Sequence, residues 1–208
     1  MESEFEKILE KVFHLYRKYG VKSITMDDVA RELGISKKTL YQYVEDKAQL
    51  VDKVVDFEIR RRESCHMMDT GNVENAIDEL FAVNKSINRM LKEHNPSMEY
   101  DLKKYYPDSY MKIQKKRHDG MYYSILQNLI KGKTEGYYRS DVNEKIIAKL
   151  YLSRVEGIIE NDFFTVEEFT SPAVIREILT YHIRGIANEK GIKYFENNIK
   201  KFNYIENE

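Results

Sequence analysis

The 208-residue sequence has one cysteine, Cys65, three prolines and no tryptophan. A lone thiol excludes an internal disulfide and suits a reducing compartment. The scarcity of proline, only nine glycines and no serine-rich or proline-rich tract leave no place for a long flexible linker. No apolar run approaches the ~20 residues that a membrane-spanning helix needs. The N-terminal MESEFEKILEK is charged throughout, unlike a secretory signal. Net charge is nearly absent, because 34 Lys and Arg face 35 Asp and Glu for a total of -1, so any positive surface must be local. Catalytic and metal signatures are also missing. The histidines His14, His66, His94, His118 and His182 show no i to i+4 ligand spacing, and Cys65 and His66 are neighbours that a helix would point to different sides. There is no phosphate-cradling glycine loop, no GxSxG and no isolated carboxylate pair. The expectation is a cytoplasmic protein that is not an enzyme, holds no metal or cofactor and makes no use of a membrane.

What is present is helical periodicity. Hydrophobic residues make up 42% and charged residues 33% of the chain, enough for a core under a heavily charged surface. Ser3 and Glu6 form a capping-box pair ahead of Phe5, Ile8, Leu9, Val12, Phe13 and Tyr16, which predicts a helix to about Tyr19 that stops at Gly20. Further helices are expected over about 46–68, 73–94, 97–106, 108–131, 143–162 and 171–189, with a last short amphipathic piece from Gly191. Asp69 to Asn72, Asn95-Pro96 and Pro107 serve as breaks, Gly132 to Asp141 as a turn, and Ser171-Pro172 as a helix start. No strand pattern of any length occurs. The fold class is all-α.

Between Val21 and Leu50 three helix-start signals follow one another. Thr25 is a cap with Asp28 at the third helical position, and Ile24 and Val29 occupy the positions of a hydrophobic staple. Ser36 caps next, with Ile35 and Leu40 as its staple. Asp46 caps third, with Gln49 three residues on and Leu50 at the staple position. Gly34 stands where a left-handed residue would end the first of these helices, and Ala30 is small enough for a close crossing. This is the logic of a helix-turn-helix, whose second helix can lie in a DNA major groove. The exposed face of that segment, Ser36 to about Tyr43, offers Lys37, Lys38, Thr39, Tyr41, Gln42 and Tyr43. Lysines at a helix start oppose the dipole, a cost that a phosphate or a guanine edge would offset. Lys47 opens the following helix, whose first amides can also meet a phosphate. A protein-interaction module that uses the same fold is the alternative reading.

The run TMDDVARELGISKKTLYQYVEDKAQL closely resembles the DNA-binding region of the TetR family of bacterial transcription regulators. Thr25, Val29, Ala30, Gly34, Ser36, Thr39, Leu40, Tyr41, Tyr43, Lys47 and Leu50 carry the likeness, with Phe13, Tyr19, Gly20 and Val21 as its lead-in. It covers about the first quarter of the chain. The resemblance implies that Thr25, Thr39, Tyr41, Tyr43 and Lys47 contact the DNA backbone and that Lys37 and Lys38 lie near base edges. Tyr43 departs from the histidine or phenylalanine frequent in the family, though it retains a ring and adds a hydroxyl. The implied organisation is a helix-turn-helix DNA-binding domain over 1–47 and a helical effector-binding and dimerisation domain over 48–208. The implied partners are double-stranded DNA with a palindromic operator, a second copy paired through the two long C-terminal helices, and a small-molecule effector. Repression released by that effector is the expected mode.

In the C-terminal part, polar residues interrupt apolar stripes. Asn84 and Asn88 share a face with Phe81 and Leu91. Gln114 and His118 lie on the stripe of Met111, Met121 and Ile125. Arg154 follows Ile147, Leu150 and Tyr151. Buried polar groups need partners, and an effector pocket could supply them, so Phe81, Asn84, Asn88, Gln114, His118, Tyr122, Tyr151 and Arg154 are its candidate lining, with Met90 beside them. Pairing among themselves is the competing account.

Overall fold

The computed structural model describes residues 4–70, 73–92, 95–160, 164–169 and 171–199, and of residues 65–70, 87–92, 155–160, 166, 169 and 172 the backbone only. Among the described residues there are eleven helices and no strand beyond one isolated bridge, as the periodicity predicts. None of the described helices is long and apolar enough to cross a membrane. The chain divides into two compact units. The first comprises Met1–Cys65 and His94–Arg117, and the second His66–Glu93 and His118–Glu208.

The first unit is built on α1 (Glu4–Tyr19), α2 (Met26–Leu33), α3 (Lys37–Leu40) and the first part of α4 (Lys47–Thr70). Ile8, Leu9, Val12, Phe13 and Tyr16 of α1 are all buried, because their spacing gathers them on one stripe. They meet Val21, Ile24, Val29, Ala30, Leu40, Val44, Leu50, Val51, Val54 and Val55 in a single core. Complete burial of such a side chain is worth about 1.5–3 kcal/mol, so this core holds the short α2 and α3, which could not persist alone. The unit also includes α6 (Pro96–Tyr105) and the start of α7 (Pro107–Thr134). Leu102 enters the core, and Met98, Tyr106, Tyr110 and Ile113 pack on its edge. The Asp101 carboxylate accepts the Lys22 amide at 2.8 Å, and Asn95 donates to the Arg17 carbonyl. These two bonds tie the last turn of α1 and the loop after it to α6 and its cap.

The second unit contains α5 (Ala76–Lys92), the later part of α7, α8 (Glu144–Glu160), the short α9 (Val166–Phe169), α10 (Pro172–Ile186) and α11 (Glu189–Asn198). Its core joins Ile77, Leu80, Phe81, Ile125, Leu129, Tyr138, Tyr151, Leu152, Ile183, Ile186 and Phe195. Several boundaries differ from expectation. Asn75 accepts the amides of Ile77 at 2.9 Å and Asp78 at 3.1 Å, which starts α5 later than Val73. Asn95 and Pro96 open α6 as its cap and first residue. The helix expected to stop at Lys131 runs on through Gly132 to Thr134. There the Tyr138 ring lies where a side chain at 132 would sit, 2.1 Å from an ideal Cβ. Tyr138 donates to Asn128 Oδ1 at 2.9 Å. Its backbone pairs with Ala187 in the isolated bridge, and that extended residue ends α10 at Ile186, before the expected Glu189.

Candidate nucleic-acid interface

The α2–turn–α3 segment is fixed by its own side chains. Thr25 Oγ1 accepts the Asp28 amide at 3.2 Å while the Asp28 carboxylate accepts the Thr25 amide at 3.0 Å, a reciprocal capping box. Thr25 Oγ1 also donates to Asp28 at 2.6 Å. Hydrogen bonds from the Thr25 side chain and backbone hold the Asp28 carboxyl below the usual carboxylate range, and Arg31 adds to this. At the other end of α2, Gly34 takes φ 67°. Its amide donates to Arg31 O at 3.1 Å and the Ile35 amide to Ala30 O at 3.0 Å, the two bonds of a Schellman stop. A Cβ at 34 would strain that left-handed backbone.

Ser36 Oγ accepts the Thr39 amide at 3.0 Å and shares a hydrogen with Thr39 Oγ1 at 2.8 Å. Leu40 and Val44 are 0% and 2% exposed and pin the segment to the core. On the opposite side Lys37, Lys38 and Gln42 are exposed, and Tyr41 is 47% exposed. The helix is shorter than expected. After the Tyr41 amide bonds Lys37 O, the Gln42 and Tyr43 amides bond Thr39 O and Leu40 O at 3.2 and 3.1 Å, the tighter i to i−3 pattern. This tightening accompanies Tyr43 turning back to stack on Phe5, with ring centroids 4.9 Å apart and planes within 8°.

The candidate DNA contacts therefore differ in what they have left to give. Lys38, Gln42 and Tyr41 are open to solvent. Lys37 pairs with Asp27 of α2, both side chains more than half exposed, so the bond is easily exchanged. One of the Ser36 and Thr39 hydroxyls retains a free hydrogen, whereas the Thr25 hydroxyl has already donated its own. Lys47 donates to Lys22 O at 3.2 Å, and partial burial pushes its ammonium below the ordinary lysine value. An ammonium carries three hydrogens, so two remain. Exposed lysine, amide and hydroxyl donors on one ridge suit phosphate oxygens and guanine edges. Tyr43 separates two contributions. Tyr43→Phe should leave the melting temperature unchanged and weaken DNA binding by roughly fivefold, about one hydrogen bond. Tyr43→Ala should lower both. Thermal denaturation and fluorescence anisotropy read the two effects.

The effector candidates fall into separate groups. Phe81, Asn84 and Tyr151 are buried in the second unit and Arg154 is half-buried with them. Asn84 donates to Leu80 O at 2.8 Å. Tyr122 is half-buried at the edge of the same core. Gln114 lies in the first unit, where it donates to Glu99 at 3.3 Å, and His118 is exposed beside Asp119. The side chains of Asn88 and Met90 lie outside the described ones. One further residue joins the group: His182 is buried, its ring 4.4 Å from that of Tyr151. The signal for it is its place on the α10 stripe of Ile175, Leu179 and Ile186. Among the described residues no cluster of three or more His, Cys, Asp or Glu could hold a metal.

A capped helix, a glycine-stopped turn and a second helix with a basic outer face define a helix-turn-helix DNA-binding protein. Residues 8–54 match the family described as bacterial regulatory proteins, tetR family. Over 186 residues the chain is 24% identical to the uncharacterised HTH-type transcriptional regulator YvaF of Bacillus subtilis, covering 89% of this chain and 96% of that one. A transcriptional regulator from Cytophaga hutchinsonii shares the fold with a TM-score of 0.73 at 16% identity, over 90% of this chain and all of the other. A protein described as a regulator from Saccharomonospora viridis, solved in complex with choline, does so with a TM-score of 0.61 at 14% identity, over 90% and 100% of the two chains. Residues 8–54 thus carry the DNA-binding region of the tetR family, and the chain is a DNA-binding regulator of transcription.

Proposed function

We propose that this regulator is a cytoplasmic homodimeric repressor that grips a palindromic operator and releases it when the helical second part of the chain takes up a small molecule. Residues 1–47 read a half-site, and 48–208 pair with a second copy and hold the effector. The observation that carries the DNA reading is the two-sided character of the α3 segment: Leu40 and Val44 are locked inside while Lys37, Lys38, Tyr41 and Gln42 face out. The pairing reading is supported by apolar side chains that the protomer leaves uncovered. Ile146 and Leu150 on α8 are 56% and 62% exposed, and Tyr181 on α10 is 78% exposed. Two-fold pairing sets two α3 segments about 34–36 Å apart, one DNA turn, or a multiple of it. The choline complex of a protein with this fold supports a ligand-holding role. An effector works here only by binding the operator-competent and incompetent arrangements with different affinity.

The test is a titration of the DNA upstream of the protein's own gene at several salt concentrations. Six to ten phosphate contacts predict a loss of roughly 10³–10⁵ in affinity between about 50 and 200 mM salt. Binding that is absent or insensitive to salt contradicts the reading.

A further inference from the structure

We infer that Arg154 anchors the carboxylate of a small organic acid with an apolar body, bound within the second unit against Tyr151, His182 and Asn84. This rests on the reading that the second part of the chain takes up an effector, and it assigns that effector a chemical class.

The reason is an unanswered charge. Arg154 Nε and Nη2 are buried and have no hydrogen-bond partner, and among the described residues no carboxylate lies within ion-pairing distance of it. A guanidinium cannot escape this situation by losing its proton, and two buried donors left unmatched are costly. Its neighbours cannot supply the missing charge. The Tyr151 hydroxyl is raised above the ordinary tyrosine value by burial, with the Arg154 charge and hydrogen bonds from Asn84 and Arg154 working the other way, so it stays neutral. The His182 imidazole is pushed down to about 3 by burial and by the Arg154 charge, so it is neutral near pH 7. The Tyr151 ring lies 4.7 Å from the guanidinium carbon, a favourable cation–π placement that leaves both N–H groups unanswered.

The two free donors are informative in themselves. Nε–H and Nη2–H lie along one edge of the guanidinium and point the same way, at the spacing of two carboxylate oxygens. A monoanion balances the one charge present, whereas a phosphate dianion would meet only a single cation among neutral groups. Phe81, Tyr151 and Ile183 belong to the same apolar cluster, so the body behind the carboxylate is apolar.

The probes are benzoate, hexanoate and octanoate, with 1-octanol and octylamine as bodies lacking the carboxylate, titrated calorimetrically into the full-length protein. At least one carboxylate is expected to bind, and more tightly than the alcohol and amine by roughly tenfold to a hundredfold, the effect of a charge-assisted bond. Arg154→Met should erase that margin while leaving the ligand-free melting temperature equal or higher, since it removes two buried donors that have no partner in the free protein. Three results would overturn the inference: no carboxylate binds, Arg154→Met binds it equally well, or Arg154→Met lowers ligand-free melting and weakens dimerisation, as when a second copy supplies the counter-charge. Operator release is measured in parallel. Carboxylate binding without release leaves the site standing and removes the effector role. Release by compounds without a carboxylate, undiminished in Arg154→Met, removes the inference and keeps the effector role.

Discussion

Alanine at both Lys37 and Lys38 should lower operator affinity by about 1000-fold and leave the melting temperature within about 2 °C of the parent. The affinity figure is additive. A lysine that reaches a phosphate or base edge is worth at least about 1 kcal/mol. Two lysines in each of two protomers then give about 4 kcal/mol, close to three decades. The stability figure follows from what the lysines touch in the free protein. Lys37 meets Asp27, with 53% and 61% of the two side chains exposed, and exposed pairs of this kind contribute little. Both lysines sit in the first turn of α3, where positive charge opposes the helix dipole, so alanine removes a small local repulsion. The parent and the double variant should therefore melt alike and bind very differently, a separation that thermal denaturation beside anisotropy measures directly.

The same pair of lysines separates positioning from reading. If they hold phosphates, the salt dependence of binding falls by about one unit of slope per lost contact, and all sequences weaken alike. If they reach guanine edges, the loss concentrates on the cognate operator and the discrimination against other sequences shrinks. An operator affinity that survives the double substitution would remove the exposed face of α3 from the DNA interface altogether.

What the sequence could reveal about this site follows from the range of the forces that build it. The caps of α2 and α3 are local, since Thr25 and Asp28 or Ser36 and Thr39 need only be three residues apart, so they were legible without tertiary information. Gly34 was legible for the same reason. The early end of α3 was not, because it accompanies the stacking of Tyr43 on Phe5, a contact between residues remote in sequence. Gly132 reads as a turn, yet it lies inside α7 because the Tyr138 ring fills its side-chain position. Asn95-Pro96 reads as the end of one helix, and in the structure the pair caps and opens α6. In the second unit the period revealed which residues share a face but not which faces meet. Asn84, Tyr151 and Arg154 converge with His182, while Gln114 is engaged by Glu99 in the first unit despite sharing a stripe with His118.

Charging the uncovered face of α8 and α10 should have the second large effect. Leu150→Asp together with Tyr181→Asp is expected to turn the protein into a monomer at micromolar concentration and to weaken operator binding by about 10²–10⁴-fold, the gain that joining two half-site readers normally provides. Leu150 is 62% and Tyr181 78% exposed in the protomer, so a carboxylate at either position remains hydrated there and the fold of the single chain has no reason to change. The inward faces of the same helices carry the protomer's own packing: Tyr151 and Leu152 on α8, and Leu179 and Ile183 on α10, are all buried. In the proposed dimer each substitution occurs twice, and four unpaired carboxylates are brought into an apolar contact where an uncompensated polar group costs at least about 1–3 kcal/mol. Circular dichroism should therefore match the parent while sedimentation reports the change in mass. A variant that stays dimeric would place the pairing surface elsewhere. A variant that becomes monomeric yet binds the operator as before would mean that one α3 segment alone reads the DNA.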